Sequence, residues 1–288
     1  MSDSFDDPYC YHGSHVLINK FGFVTLHELR RAEHIFVSRR AADFDKNPIK
    51  GNYDMVHLRA IHGYLFQDVY DWAGELRTVD MAKDGSPFCL CDDLERAMKG
   101  IHEELRDHQF LGGLNKKQFV DQLASYFSEV NFLHPFREGN GRATRLFIGQ
   151  LAKDAGYTFY RKPIERDKKS WNQASALSIG GELGELKRLF NKTVRPTRSV
   201  AFELYTHNNV TKPALLRKHP DLKTPLMILE ETSRYLTEHG FDKKDQRASI
   251  LNLQQHLIKK LDLGITQHFD SGVMYMPQQG KKRVISND

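Results

Sequence analysis

His134-Pro-Phe-Arg-Glu-Gly-Asn-Gly-Arg-Ala-Thr-Arg145 is the stretch on which the reading of this chain turns. It sets a titratable base, a carboxylate, two glycines around an amide side chain and two arginines beside one helix start. The segment before it, from about Gln118 to Leu133, carries Phe119, Leu123, Phe127, Val130 and Leu133 at spacings of three and four. That is the apolar stripe of a core helix. Gly139-Asn140-Gly141 then breaks the pattern, because glycine permits backbone angles that gather successive N–H groups into an anion-holding concavity. Helical periodicity resumes with Ala143, Leu146, Phe147, Leu151 and Ala155. A helix entered from a glycine loop offers unpaired N–H groups and the positive end of its dipole to an anion. Arg142 and Arg145 lie on one face of its first turn, from which both can reach the bound charge. Each part has a plainer explanation: His-Pro as a helix stop, Gly-Asn-Gly as a turn, two arginines as a solvated face. Their convergence in one loop points instead to a site that holds a polyphosphate.

Upstream, Arg77-Thr-Val-Asp-Met-Ala82 reads as a short strand, Lys83-Asp84-Gly85 as a turn, and Phe88-Cys-Leu90 as the returning strand. Pro87 confines the second arm to an edge, where it can pair with an extended segment of another protein or serve as an ordinary surface hairpin. Elsewhere helix dominates. Thr25-Leu-His-Glu28 has the form of a capping box opening a helix through about Ser38, and a second helix starts near Asp54 and runs toward Phe66. Asp92 and Asp93 are placed to cap a helix through Glu104, and Glu185 to Phe190 ends the region. The expected fold class is all-α with a small hairpin.

A composition change near Arg195-Pro-Thr-Arg198 divides the chain into residues 1–195 and an extension of residues 196–288. From Arg195 onward there are 15 lysines and arginines against 10 acids, so nearly all of the formal charge of +5 lies in the extension. Two helices are expected there, from about Thr224 to Glu238 and from about Asp245 to Leu261, with Gly240 and Gly264 as stops and a basic Lys281-Lys-Arg283 cluster beyond. The extension reads as a packed helical pair, a docking module or a basic export tail. A basic stripe with interleaved aromatics is missing, which disfavours nucleic-acid binding. No apolar run approaches a membrane span, and the acidic start from Asp3 to Asp7 lacks the features of a signal peptide, which points to the cytoplasm. Cys10, Cys89 and Cys91 match neither a disulfide framework nor a zinc spacing. Neither a Gly-x-Gly-x-x-Gly nor a P-loop string occurs, so Rossmann and P-loop nucleotide sites lack support.

The opening stretch resembles, position by position and without departure, the Fic family signature His-x-Phe-x-(Asp/Glu)-Gly-Asn-Gly-Arg-x-x-Arg. The similarity extends over roughly the first two hundred residues, through Asp7-Pro8-Tyr9, Ile61-His62, Asp71-Trp72-Ala73-Gly74-Glu75-Leu76-Arg77 and Trp171-Asn172-Gln173. It is nearest in form to bacterial single-domain Fic toxins and to Fic domains of secreted effectors. The resemblance implies a Fic-fold helical domain that transfers AMP from ATP to a Ser, Thr or Tyr hydroxyl of a target protein. It makes His134 the general base, Glu138 the holder of Mg²⁺ between the α- and β-phosphates, and Asn140 with the N–H groups of Gly139 and Gly141 the stabiliser of the α-phosphate. It gives Arg142 and Arg145 to the β- and γ-phosphates, and it makes the hairpin, with Asp84, Gly85, Ser86 and Phe88, the flap that registers the target. Trp171 borders the adenine in this reading. The intact Gly-Asn-Gly separates the chain from Fic-like kinases.

Many Fic proteins carry an inhibitory (Ser/Thr)-x-x-x-Glu-(Gly/Asn) string, and none occurs here. The nearest are Ser125 to Glu129, Ser178 to Glu182 followed by Leu183, and Ser199 to Glu203 followed by Leu204. The expectation is a toxin restrained by a separate small antitoxin that supplies the glutamate beside Arg145. Target identities implied by the two kinds of relative are ATPase subunits of type II topoisomerases and host proteins reached by type IV secretion. A nucleotide-sensing module without catalysis and a nucleic-acid-associated regulator are the other classes; the first leaves His134 without a purpose, because binding alone needs no base.

Overall fold

The structure, a computed structural model, describes residues 7–83 and 85–265. Asp84 and the Lys281-Lys-Arg283 cluster lie outside the described residues. The chain forms two compact units, one built on residues up to Ala155 with Phe159–Val194, the other on Gly156–Thr158 with residues from Arg195 onward.

In the first unit, helices α1 (Leu26–Phe44), α2 (Met55–Phe66), α3 (Leu94–Asp107), α4 (Lys116–Leu133), α5 (Asn140–Asp154), α6 (Lys162–Arg166), α7 (Lys168–Ile179) and α8 (Gly184–Thr193) follow one another. The central member is α4, against which α3, α5, α7 and α8 pack. Its start is a capping box: Asn115 Oδ1 accepts the Gln118 N–H at 3.0 Å while Gln118 Oε1 accepts the Asn115 N–H at 3.3 Å. All five residues of its expected stripe are buried. Helix α2 lies against α5 and is capped by Asp54, which takes the His57 N–H at 2.8 Å. Among the described residues no helix is long and apolar enough to cross a membrane.

Four local expectations need correction. Helix α1 runs beyond Ser38 to Phe44, because Leu29, Val37 and Phe44 continue one buried face. Its Thr25 hydroxyl accepts the Glu28 N–H at 3.3 Å and also meets the Glu28 carboxylate at 2.6 Å, rather than forming a reciprocal box. Helix α3 opens behind a 3₁₀ turn, Cys91–Asp93, without a side-chain cap from Asp92 or Asp93. The hairpin is far shorter than its β pattern: β1 (Ala82–Lys83) pairs antiparallel with β2 (Ser86–Pro87), Ala82 opposite Pro87 and Lys83 opposite Ser86. Residues 77–81 are not strand, because side-chain bonds from Arg77 and Asp80, described below, take the backbone groups that a longer ladder would need.

The second unit has four helices among its described residues, α9 (Thr197–Thr206), α10 (Lys212–Lys218), α11 (Lys223–Glu238) and α12 (Lys243–Asp262), where a pair was expected. Phe202 of α9 and Leu215 of α10 join Leu226, Leu253, Leu257 and Leu261 in a core of its own. Arg195 is held by Glu203 at 2.6 Å and Asp262 at 3.5 Å. Both missed helices are short, ten and seven residues, too short for a helical period to declare itself.

Candidate active site

Helix α4 ends at His134, whose φ of 45° is left-handed, and Pro135 prevents continuation. Immediately before α5, Gly139 sits at φ +86°, and a Cβ there would come within 2.3 Å of the Phe66 ring. Only glycine lets the loop lie this close to α2. The Asn140 side chain spans the loop, its Oδ1 accepting the Phe136 N–H at 2.9 Å and its Nδ2 donating to the Phe136 carbonyl at 2.6 Å. Among the described residues the backbone N–H groups of Asn140 and Gly141 have no partner, as expected of a helix start. They border a cavity of about 550 Å³, a volume suited to a nucleotide-sized ligand.

The same cavity is lined by His134, Glu138, Arg142 and Arg145, by Lys83, Ser86 and Phe88 of the hairpin, and by Trp171 and Asn172 of α7. The α7 wall is fixed to α4: Asn131 Nδ2 donates to the Ser175 carbonyl at 3.0 Å and Ser128 Oγ to the Ser178 carbonyl at 2.6 Å. The His134 ring stacks on Phe88, with centroids 3.9 Å apart and planes at 15°. Its Nδ1 is buried and makes no hydrogen bond of normal geometry among the described residues. Burial, helped by the charges of Arg77 and Lys83 and opposed by the Asn131 carbonyl, pushes its pKa down to about 4. The imidazole is therefore neutral at neutral pH and able to accept a proton.

The two arginines differ. Arg142 lies over the Phe66 ring at 4.7 Å, pairs with Glu33 of α1, and reaches Glu138 Oε1 at 3.1 Å. Arg145 has no hydrogen-bond or ion-pair partner among the described residues; burial foremost, then the charge of Arg142, push its pKa down to about 10, with Glu165 acting in the opposite sense. A largely buried guanidinium without a counter-ion favours an anionic ligand. A second cavity, of about 310 Å³, opens on these arginines from the side of Arg30, His34 and Lys168. None of Glu129, Glu182 and Glu203 bonds Arg145; Glu203 is bound to Arg195 and Glu129 to Ser125.

Glu138 gives one oxygen to the Gly139 N–H at 2.8 Å and to Arg142, leaving the other unpartnered among the described residues. Those residues contain no group of three or more potential metal ligands. Trp171 borders both cavities, but the residue is only 4% exposed and its ring packs edge-on against Phe127 and Phe190, so its bulk belongs to the core. Gly85 and Ser86 lie on the exposed hairpin tip.

Four residues that the motif does not contain hold it in place. His62 of α2 accepts the Gly74 N–H on Nδ1 at 2.9 Å, so its Nε2–H donates to the Glu138 carbonyl at 2.9 Å. It stacks on Phe136 at 3.8 Å, and burial pushes its pKa down to about 4. Asp7 binds the Arg137 guanidinium at 2.9 and 2.5 Å. Glu33 pairs Arg142, and Arg77 Nε donates to the His134 carbonyl at 2.9 Å. His62, Arg77 and Asp7 lie inside strings that carried the family resemblance, whereas nothing in the sequence distinguishes Glu33 from other glutamates of an amphipathic helix.

Residues 52–152 match the family model described as Fic/DOC family. The probable protein adenylyltransferase Fic of Escherichia coli is 39% identical over 197 residues, 67% of this chain and 96% of that one. Protein adenylyltransferase VbhT of Bartonella schoenbuchensis is 39% identical over 189 residues, 66% of this chain and 39% of that one. Among solved structures, BepC, a VirB-translocated effector of Bartonella tribocorum with bound AMPPNP, matches with a TM-score of 0.60 at 27% identity, over 66% of this chain and 97% of that one. The N-terminal Fic domain of a putative cell filamentation protein of Bartonella quintana with bound ADP gives 0.61 at 28% identity, over 67% and 96%.

Proposed function

The chain belongs to the Fic/DOC family and is a protein adenylyltransferase, and we propose that it moves AMP from ATP onto a hydroxyl of its target with His134 as general base. The observation that carries this assignment of roles is a convergence. A neutral imidazole, unpaired helix-start N–H groups and an uncompensated Arg145 border one cavity. In the reaction the target oxygen bonds to the α-phosphorus as its proton passes to His134 Nε2. The bond from that phosphorus to the bridging oxygen breaks, and pyrophosphate leaves. The N–H groups of Asn140 and Gly141 face the charge that develops on the α-phosphate, while Arg142 and Arg145 hold the β- and γ-phosphates. Asn140 acts first by shaping the loop, and its second amide hydrogen remains available to the phosphate.

The free oxygen of Glu138 suits Mg²⁺, a hard cation that takes most of its ligands from phosphates and water. Bound there, the ion would neutralise α- and β-phosphate charge. Phe88, Ser86 and Gly85 present the target's backbone along the hairpin edge, and Trp171 closes the adenine side.

The reading extends to a cytoplasmic toxin whose small antitoxin supplies a glutamate to Arg145, with an ATPase subunit of a type II topoisomerase as target. The missing inhibitory string and the unpaired Arg145 support it. Likeness to VirB-translocated BepC supports a second reading, export by type IV secretion toward host proteins. Incubating the full chain with α-labelled ATP, Mg²⁺ and bacterial lysate tests the reaction. Label is expected on a protein with wild type and absent with His134→Ala; equal labelling by both would remove His134 from the chemistry.

A further inference from the structure

Arg77 is the most thoroughly engaged buried cation in the first unit, and nothing in the transfer chemistry uses it directly. Its side chain is fully buried. Nε donates to the His134 carbonyl at 2.9 Å and Nη1 to the Val79 carbonyl at 2.7 Å, while Nη2 donates to the carbonyls of Cys89 and, at 3.3 Å, Leu133. Its own backbone N–H donates to Pro135 at 2.9 Å. Two of the four side-chain acceptors flank the hairpin's foot, and the other two are the last residues at the exit of α4. Asp80, whose carboxylate lies 3.6 Å from Nη1, also accepts the Cys91 N–H at 2.8 Å, so the foot is closed on both strands. Directly above this knot Phe88 stacks on the His134 ring.

Resting on the transferase reading of the site, we propose that Arg77 is the positioning residue that locks the target-presenting hairpin to the catalytic base, so that His134 and the hairpin edge keep one register over the α-phosphate. The geometry requires a guanidinium: a planar fork meets four carbonyls in different directions, which the single ammonium of lysine cannot do. The charge has a second effect, since it faces the imidazole together with Lys83 of the hairpin. Arg137 and Glu138 of the loop and Arg142 and Arg145 of α5 line the same cavity.

The test uses the full chain with Arg77→Met, Arg77→Lys and Arg77→Gln. Three quantities are read: ATP affinity by calorimetry, amide exchange at Arg77, Phe88, Cys89 and Cys91, and the titration of labelled His134 by NMR. ATP affinity is expected to stay within about twofold, because the phosphate cradle is untouched. Exchange at all four amides is expected to rise together in every variant. The His134 titration is expected to move up by about one pH unit in Arg77→Met, and by less in Arg77→Lys, which keeps the charge. Labelling of the lysate protein should fall about tenfold or more in all three. A folded Arg77→Met with wild-type exchange and titration overturns the proposal. Should the variants fail to fold, wild type alone decides: these four amides are expected to open as one set, and independent opening of Phe88 and Cys89 overturns the coupling. If wild type binds ATP but labels nothing, the transferase reading fails, while exchange and titration still judge Arg77.

Discussion

Replacing Arg145 by methionine should make the fold more stable and the hold on ATP weaker. Inside the fold the guanidinium is largely shielded from water and has no counter-ion among the described residues, and its pKa is pushed down to about 10. A lowered pKa in a base means that the unfolded chain holds the proton more tightly. At neutral pH the residue is charged in both states, so the folded state bears the whole penalty, which would fade only as pH rose through 10. The shift corresponds to about 3 kcal/mol, and the small mismatch of a methionine chain in the same space returns part of it, leaving a gain of about 1–2 kcal/mol. Ligand binding moves the other way. A charge-assisted bond to phosphate contributes about 1.5–3 kcal/mol, so its loss should weaken ATP binding by about ten- to a hundredfold. Urea titration with and without ATP reads both effects. The denaturation midpoint of Arg145→Met should lie above that of wild type without nucleotide, and saturating nucleotide should raise it by less than it raises that of wild type. A variant that loses stability yet retains ATP affinity would refute the reasoning, because it would make Arg145 a structural residue rather than half of an anion site.

Other outcomes follow from the same site. The acid limb of kcat/KM for AMP transfer should fall near pH 4, where the buried His134 titrates, and a midpoint near 6.5 would mean that the ring is solvated in the working enzyme. Gly139→Ala should lose about 2–4 kcal/mol in urea titration, from the left-handed backbone and the Phe66 ring that its Cβ would strike; a loss below about 0.5 kcal/mol would contradict the close approach. His62 also titrates at about 4 in the fold against 6.5 outside it, so the unfolded state takes up protons first. Its contribution is complete above pH 6.5 and is lost as pH falls toward 4, to an extent of about 3 kcal/mol. Thermal melts of His62→Gln across that window should show a shallower pH dependence than wild type.

The parts of this site that could be read from residues alone are those in which one backbone element dictates its own neighbours. The stripe on α4, the proline after His134 and the glycine at +86° define helix, stop and left-handed loop through interactions a few residues long, and they survive in any fold that buries the stripe. The hairpin shows the opposite case. Its β pattern promised strands from Arg77 and from Phe88, but the carbonyl groups of Val79 and Cys89 are taken by one buried side chain, leaving two residues of ladder on each arm. Likewise α9 and α10 are too short to announce themselves by period, and they exist because Phe202 and Leu215 find a common core with α11 and α12.

What the sequence by itself determined is the chemistry on offer: a base, a carboxylate, a nest and two arginines in twelve consecutive residues, in an order specific enough to name the family. What only the tertiary structure decided is the state of each group. That Arg142 has Glu33 while Arg145 has no partner among the described residues, and that His134 is neutral, depend on burial and on residues up to 109 positions away in the chain. Charge and proton affinity are set by what surrounds a group in space, and a linear motif records only what precedes and follows it.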